Sequence, residues 1–349
     1  MITSLTLNES EQWNTLVKSF RDYDVYYLFE YVKAFQINGD GEPMLIFFHS
    51  GNTKAINVVI KRDLAKCEHF SALLPQKTYY DMVTPYGYGG FLVEGEDLKA
   101  LQEEYFAFCR ESHIVSEFVR FHPLLKNHNG LSDLYELVRH GKTVYIDTTS
   151  EEGILSNMIS QCRNKIRKAQ KNGLEVFYCH DESMLDTFIE IYNETMKKDN
   201  ASDYYYFDRA FYESIYHDLK DHSLWFFVKK DDEIVAASIF MFCNGKTHYH
   251  LSGMKKEFQC YAPLNLLLFE ASVWASKNGF KQLHLGGGVG AQNDNLYVFK
   301  KNFNRNEDLD FYIGRQIFDQ DTYDKLMQMR KDASPSFDPN TNYFPKYRA

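Results

Sequence analysis

No stretch of this chain stays apolar for the roughly 18 to 20 residues that a bilayer crossing requires, and residues Met1 to Glu11 lack a basic region followed by an apolar core. Those two absences predict a soluble, cytoplasmic protein whose contact with a membrane is peripheral at most. No CxxC pair or regular spacing links the six cysteines, Cys67, Cys109, Cys162, Cys179, Cys243 and Cys260. Buried free thiols in a reducing compartment are therefore expected, with no disulfide and no metal. The basic balance of a nucleic-acid-wrapping protein is missing too. A formal net charge of −9 argues against DNA as a partner and confines any RNA contact to a local basic patch.

What the chain does have is length and aromatic rings. Its 349 residues exceed what a single hydrophobic core usually supports, so two domains are expected. Aromatic residues make up 16% of it, which suits a globular enzyme with ring-lined clefts better than a disordered chain.

The order of elements read from periodicity occurs twice. In the first half, helices over 8–21 and 29–38 precede a hairpin of Pro43 to His49 and Lys54 to Ile60 around a Gly51-Asn52 turn. The aromatic stretch 79–91, a helix over 96–112 and strands over 115–122 and 142–147 follow. In the second half, helices over 154–172, 182–198 and 210–219 lead to a hairpin of Leu224 to Lys229 and Ile234 to Phe242. A strand over 246–254, a helix opened by Pro263 and stopped at Gly279, and a strand over 281–285 complete the repeat. Duplication of one α/β unit accounts for this order, with a groove between the copies. The polar residues after about Asp319, punctuated by Pro335, Pro339 and Pro345, read as a tail laid back over a domain.

Four segments can carry chemistry. In Tyr80 to Gly90, three glycines within four positions are interleaved with Tyr86 and Tyr88. Either Gly87 and Gly89 let backbone approach a ligand flanked by rings, or the segment is an aromatic strand ending in a turn. The helix around Gln161 to Lys171 buries Ile159, Cys162, Ile166 and Ala169, which gathers Arg163, Arg167 and Lys171 on another face. No Asp or Glu occurs from Gly153 to Leu174, so a diphosphate or an RNA backbone is a natural counterpart for that face, a plain solvated surface being the alternative. His248-Tyr249-His250 lacks a carboxylate or thiolate to complete a metal set, which leaves packing or substrate contact. Asn295 to Phe303 places Lys300 and Lys301 in different directions whether it is helix or strand, so one can face a cleft and the other water. Gly286 to Gly290 is followed by no Lys-Ser/Thr and is not a nucleotide P-loop.

Together, Asp81 with Thr84 to Gly90, Arg163 to Ala169 followed by Gly173, the helix from Pro263 to Gly279, Gly286-Gly287, and Phe299 to Phe303 resemble the motif series of the Fem (FemABX) aminoacyltransferases from about Trp13 to Tyr312. The resemblance implies an α/β (α+β) fold of two tandem GNAT-like domains with mixed sheets, placed at 1–147 and 148–311, with the tail 312–349 packed back on the first. It implies transfer of an aminoacyl group from aminoacyl-tRNA to the amine of a peptidoglycan precursor, and no tightly bound cofactor. Asp81 is then the candidate base, Lys300 or Lys301 the lysine needed for transfer, and Tyr86, Gly87, Tyr88, Gly89, Arg163, Arg167, Lys171 and Tyr249 the substrate contacts. The chain lacks the charged coiled-coil arm of some Fem proteins and so is similar to the compact members. An acetyl-CoA-dependent GNAT enzyme acting on an amino sugar or surface polysaccharide is the alternative, although Lys255 to Ala262 contains no glycine for a pyrophosphate loop. An inert module that binds cell-wall fragments is the third reading.

Overall fold

The computed structural model describes residues 1–349, and the chain forms two compact units: residues Met1–His140 with Phe311–Ala349, and Gly141–Asp310. The first unit opens with β1 (Ile2–Leu5), α1 (Ser10–Lys18) and α2 (Phe29–Ile37). The hairpin β2 (Glu42–Ser50) and β3 (Thr53–Asp63) closes with Ser50 opposite Thr53, where Gly51 takes a positive φ of 55°. Next come β4 (Tyr80–Val83), β5 (Leu92–Glu94), α3 (Leu98–Glu111) and β6 (Ile114–Arg120). β4 lies antiparallel to β3 and parallel to β6, the α3 connection supplying the crossover that a parallel pair needs. Leu101, Tyr105 and Cys109, one helical stripe of α3, bury against Ile46, Phe48, Phe91 and Phe121 of the sheet side.

Strand β7 (Glu136–Asp147) carries the chain into the second unit, so this boundary falls inside a strand rather than at 147/148. The stretch read as one helix over 154–172 is two, α4 (Glu151–Asn157) and α5 (Ser160–Lys171), because Met158 and Ile159 between them are extended, with ψ of 145° and 155°. There follow β8 (Leu174–Cys179), α6 (Leu185–Lys198), α7 (Arg209–His217) and the antiparallel strands β9 (Ser223–Lys230), β10 (Glu233–Cys243) and β11 (Lys246–Met254). Asn244-Gly245, with φ of 44° and 77°, joins β10 to β11 by the twist-matched turn that Asn-Gly favours. Helix α8 (Pro263–Lys277) then crosses to β12 (Gln282–Gly286), which runs parallel to β11. Helix α9 (Asn295–Lys301) completes the unit. Its core is built from Ile154, Cys162 and Ile166 of the α4–α5 pair, Leu266, Leu267 and Ala271 of α8, and Val228, Phe240 and Leu283 of the sheet.

The chain re-enters the first unit through β13 (Leu309–Ile317), antiparallel to β6, and α10 (Gln320–Ala333). Thus the polar stretch after Asp319 begins as a capped helix, with Asp319 accepting from the Thr322 amide at 3.0 Å. Hairpin, third antiparallel strand, helix and parallel fourth strand recur as β2–β3, β4, α3, β6 and as β9–β10, β11, α8, β12. No helix is long and apolar enough to cross a membrane.

Candidate active site

In the second unit, the parallel pairing of β11 with β12 lasts only three positions, Lys246 to His248 against Gln282 to His284. Beyond them the strands part. Tyr249 is the first β11 residue past the paired segment; its ring packs on Phe240 at 5.5 Å, and burial pushes its hydroxyl up to about 12. Burial first, then the neighbouring His248, push His250 down to about 3, so this imidazole is neutral at physiological pH.

Lys300 stands at the far end of the parting. Asp294 caps α9 by accepting from the Tyr297 amide at 2.8 Å, and the helix carries Lys300 to its last turn. There it is 8% exposed, and its Nζ donates to the Gly287 carbonyl at 2.7 Å, just beyond the end of β12. That is its one hydrogen bond, and no carboxylate lies within ion-pair distance. Burial pushes the ammonium down to about 8, with Asp294 opposing. An acid of that strength near neutrality, with two N–H groups left over, is equipped to donate a proton or to stabilise a forming oxyanion.

Lys301, the next residue round α9, has a different task. Its Nζ donates to Asp308 Oδ1 at 2.7 Å and to the Asn306 carbonyl at 2.6 Å, which pins the turn after α9. Of the two lysines, Lys300 is therefore the buried one beside the glycine segment, and Lys301 the partly exposed one paired with Asp308.

The residues that follow α9 bond to the α4–α5 junction: Ile159 N donates to the Asn302 carbonyl at 3.1 Å, and Arg305 N to the Asn157 carbonyl at 3.0 Å. The start of α5 therefore abuts the end of the lysine helix. Arg163 folds back to donate to the Met158 carbonyl, an acceptor that the break between α4 and α5 leaves free. Arg167 donates to Asn164 Oδ1 at 3.3 Å, and Arg167 and Lys171 are exposed. None of the α5 cations Arg163, Lys165, Arg167, Lys168 and Lys171 forms an ion pair, so the face expected from the missing acidic residues is uncompensated in the fold as well.

In the first unit, the glycine and tyrosine segment is held from within. Arg120 donates to the carbonyls of Thr84 at 3.0 Å, Pro85 at 3.1 Å and Gly87 at 3.2 Å. Tyr31 reaches the Tyr86 carbonyl at 2.5 Å, Asn127 that of Gly89 at 2.9 Å, and Tyr27 that of Gly90 at 2.8 Å. A Cβ on Gly87 would lie 2.5 Å from Tyr26, one on Gly89 2.9 Å from Thr84, and one on Gly90 2.8 Å from Phe121. The space beside these glycines is taken up by the protein's own side chains. Tyr86 stacks on Phe35 at 5.8 Å, and Tyr88 is boxed by Tyr26, His122 and Phe311 at 5.5 to 5.7 Å.

Asp81, the candidate base, is fully buried. Its oxygens accept from Arg62 Nε at 2.8 Å, Arg348 Nε at 2.5 Å and Nη2 at 3.1 Å, and Tyr347 at 3.2 Å. Burial raises its pKa, but the two guanidiniums outweigh burial and hold the carboxyl below its ordinary value. A carboxylate that is both buried and doubly neutralised is a poor proton acceptor; the geometry makes Asp81 the anchor of the final residues instead.

Comparison with known proteins bears on these features. The acetyltransferase (GNAT) domain family matches residues 156–301, a span that runs from α4 to the last residue of α9 and contains both the strand parting and Lys300. The protein is an acyltransferase of GNAT fold. Across almost the whole chain that fold is also found in FemX, at TM-score 0.66 and 15% identity, covering 93% of this chain and 99% of that one. A conserved protein of unknown function from Bacteroides thetaiotaomicron shares it at TM-score 0.59 and 12% identity, covering 90% and 98% of the two chains. So does the C-terminal DUF2156 domain of an Agrobacterium fabrum protein described as a putative lysylphosphatidylglycerol synthetase, at TM-score 0.58 and 14% identity over 89% and 93%. No curated protein matches the sequence of this GNAT acyltransferase.

Proposed function

We propose that the protein transfers an aminoacyl group from aminoacyl-tRNA to the amine of a peptidoglycan precursor, with Lys300 at the reacting centre. The observation that carries this reading is the buried Lys300 ammonium, bonded once and unneutralised, where β11 and β12 separate. In the reaction the acceptor's neutral amine attacks the ester carbonyl, the tetrahedral intermediate forms, and the C–O bond to the ribose breaks. Lys300 hydrogen-bonds the oxyanion or gives its proton to the departing ribose oxygen, while the proton from the attacking nitrogen passes to solvent. An acceptor amine with an ordinary pKa near 10.4 needs about 4.6 kcal/mol to be neutral at pH 7, so turnover by this route rises with pH until Lys300 itself deprotonates.

The donor assignment is supported by the resemblance to Fem proteins and by α5, whose five unpaired cations stand out in a chain of net charge −9. Purified protein given charged tRNA and a UDP-linked muramyl pentapeptide is expected to move radiolabelled amino acid to the peptide. Absence of transfer from every aminoacyl-tRNA tried would overturn the reading.

A second reading, acyl transfer from acetyl-CoA, has one structural observation in its favour. The loop before α8 lacks glycine, yet Ala262 adopts the left-handed conformation (φ 59°, ψ 48°) and α8 begins without a side-chain cap, so that the Leu264 amide, behind the N–H-less Pro263 and ahead of the Asn265 amide bonded to the Ala262 carbonyl at 3.1 Å, is open to an anion. A dose-dependent rise in melting temperature with acetyl-CoA would favour it; about 2.7 kcal/mol of added stability is expected at a hundredfold excess over Kd.

A further inference from the structure

The two ends of α9 grip the same short glycine segment. At one end, Asp294 accepts from the Val289 amide at 3.0 Å through Oδ2 while Oδ1 caps the helix. At the other, Lys300 donates to the Gly287 carbonyl at 2.7 Å. Gly288 lies between, and the Asp294 carboxylate and the Gln292 carbonyl fill the space that a Cβ there would need. We infer that Asp294 is a positioning residue for Lys300, and that Gly288 has no side chain so that the carboxylate can sit against residues 287–289 and fix the place from which the ammonium works. This rests on the role given to Lys300 above.

Charge supports the geometry. Burial opposes ionisation of Asp294, but the Tyr297 and Val289 amides and then the Lys300 ammonium outweigh it and keep the carboxyl below its usual value. In return, the Asp294 charge works against the burial that depresses Lys300. The other groups around the lysine act elsewhere. Lys301 is paired with Asp308, Tyr297 is bonded to Asp308, Arg163 is bonded to the Met158 carbonyl, and Lys142 of β7 meets the segment through its backbone carbonyl, which a Cβ on Gly287 would approach to 2.7 Å. Asp294 is thus the carboxylate placed to hold Lys300 protonated without quenching it in a direct ion pair.

The test is an NMR titration of the full chain labelled with [ε-13C]lysine, the Lys300 signal being assigned by its loss in Lys300→Arg. In Asp294→Asn, which keeps an oxygen to cap Tyr297, the Lys300 midpoint is expected to fall from about 8 by about one unit. Where transfer is measured, kcat falls and its pH profile moves with that midpoint while KM stays put. Asp294→Glu keeps the charge and restores the midpoint in part. Gly288→Ala, which displaces the carboxylate, lowers the midpoint in the same direction and serves if Asp294→Asn does not fold. A midpoint unmoved in both Asp294→Asn and Gly288→Ala overturns the inference. Because the titration needs neither donor nor acceptor, it tests the clamp even if charged tRNA proves not to be the substrate.

Discussion

Replacing Asp81 by Asn separates stability from catalysis at a residue whose sequence context suggested a base. The carboxylate is completely buried, opposite its cross-strand neighbour Arg62, and also carries Arg348, whose neighbour Tyr347 bonds Ser116 at 2.8 Å. An amide offers one acceptor and no charge, so two guanidiniums lose their counter-ion within the fold. Breaking a buried pair in this way costs about 3 to 5 kcal/mol, and a unit of this size loses about 2 to 4 °C per kcal/mol, so the first unit should melt about 6 to 20 °C earlier. Because the folded carboxyl lies below its ordinary 3.8, its stabilisation is complete above that value and is lost as pH falls through the folded pKa. The gap between wild type and Asp81→Asn is therefore expected at pH 7 and should close below about pH 4. Calorimetry across that range, with hydrogen exchange on the Phe344–Ala349 segment, reads both effects. A melting shift under about 2 °C would refute the anchoring argument. A more than tenfold loss of turnover in folded Asp81→Asn would return the residue to the reaction.

Lys300→Met is expected to lower kcat a hundredfold or more with little change in KM, whereas Lys301→Met, which breaks a partly exposed pair, should cost about 1 kcal/mol of stability and leave turnover within a few-fold in a steady-state assay. The same Lys300→Met change should raise the melting temperature. A folded pKa of about 8 against 10.5 corresponds to a burial penalty on the order of 3 kcal/mol at neutral pH. That penalty shrinks as pH rises from 8 to 10.5, because the folded lysine has lost its proton there and the unfolded one has not; chemical denaturation at pH 7 and 10 checks it. Reversing charge at Arg167 and Lys171 together should raise KM for the tRNA donor and flatten the salt dependence of binding by about two in log–log slope, measured by filter binding from 50 to 200 mM salt.

Regular elements with a clear period were legible: the hairpin around Gly51-Asn52, the strand 246–254, and the helix from Pro263, which stops before Gly279 at a positive φ of 76°. Others escaped for physical reasons. The break at Met158-Ile159 hides in a sequence that keeps its helical stripe across the gap, since Ile154, Met158, Cys162 and Ile166 are all buried. β13 and α10 were folded into a polar tail because half of α10 is solvated and its buried stripe is only Thr322, Tyr323, Leu326 and Arg330. Asn244-Gly245 carried the hairpin signal in plain sight. At the candidate site, the uncompensated α5 face followed from composition alone. The split between Lys300 and Lys301 needed the third dimension, since adjacent residues on a helix differ by a rotation that no local pattern reveals. What fills the space beside Gly87, Gly89 and Gly90 was out of reach of a local reading for the same reason, as it comes from Tyr26, Thr84 and Phe121.

The grip of α9 on residues 287–289 makes the length between Asp294 and Lys300, as well as the identities of Asp294 and Gly288, a quantity this chain must preserve. From Asp294 to Lys300 the helix rises about 9 Å, and that fixed ruler sets which of two neighbouring lysines meets the Gly287 carbonyl. Deleting one residue between them would turn the following side chains by about 100° and bring Lys301 toward the buried position while leaving every charge in place.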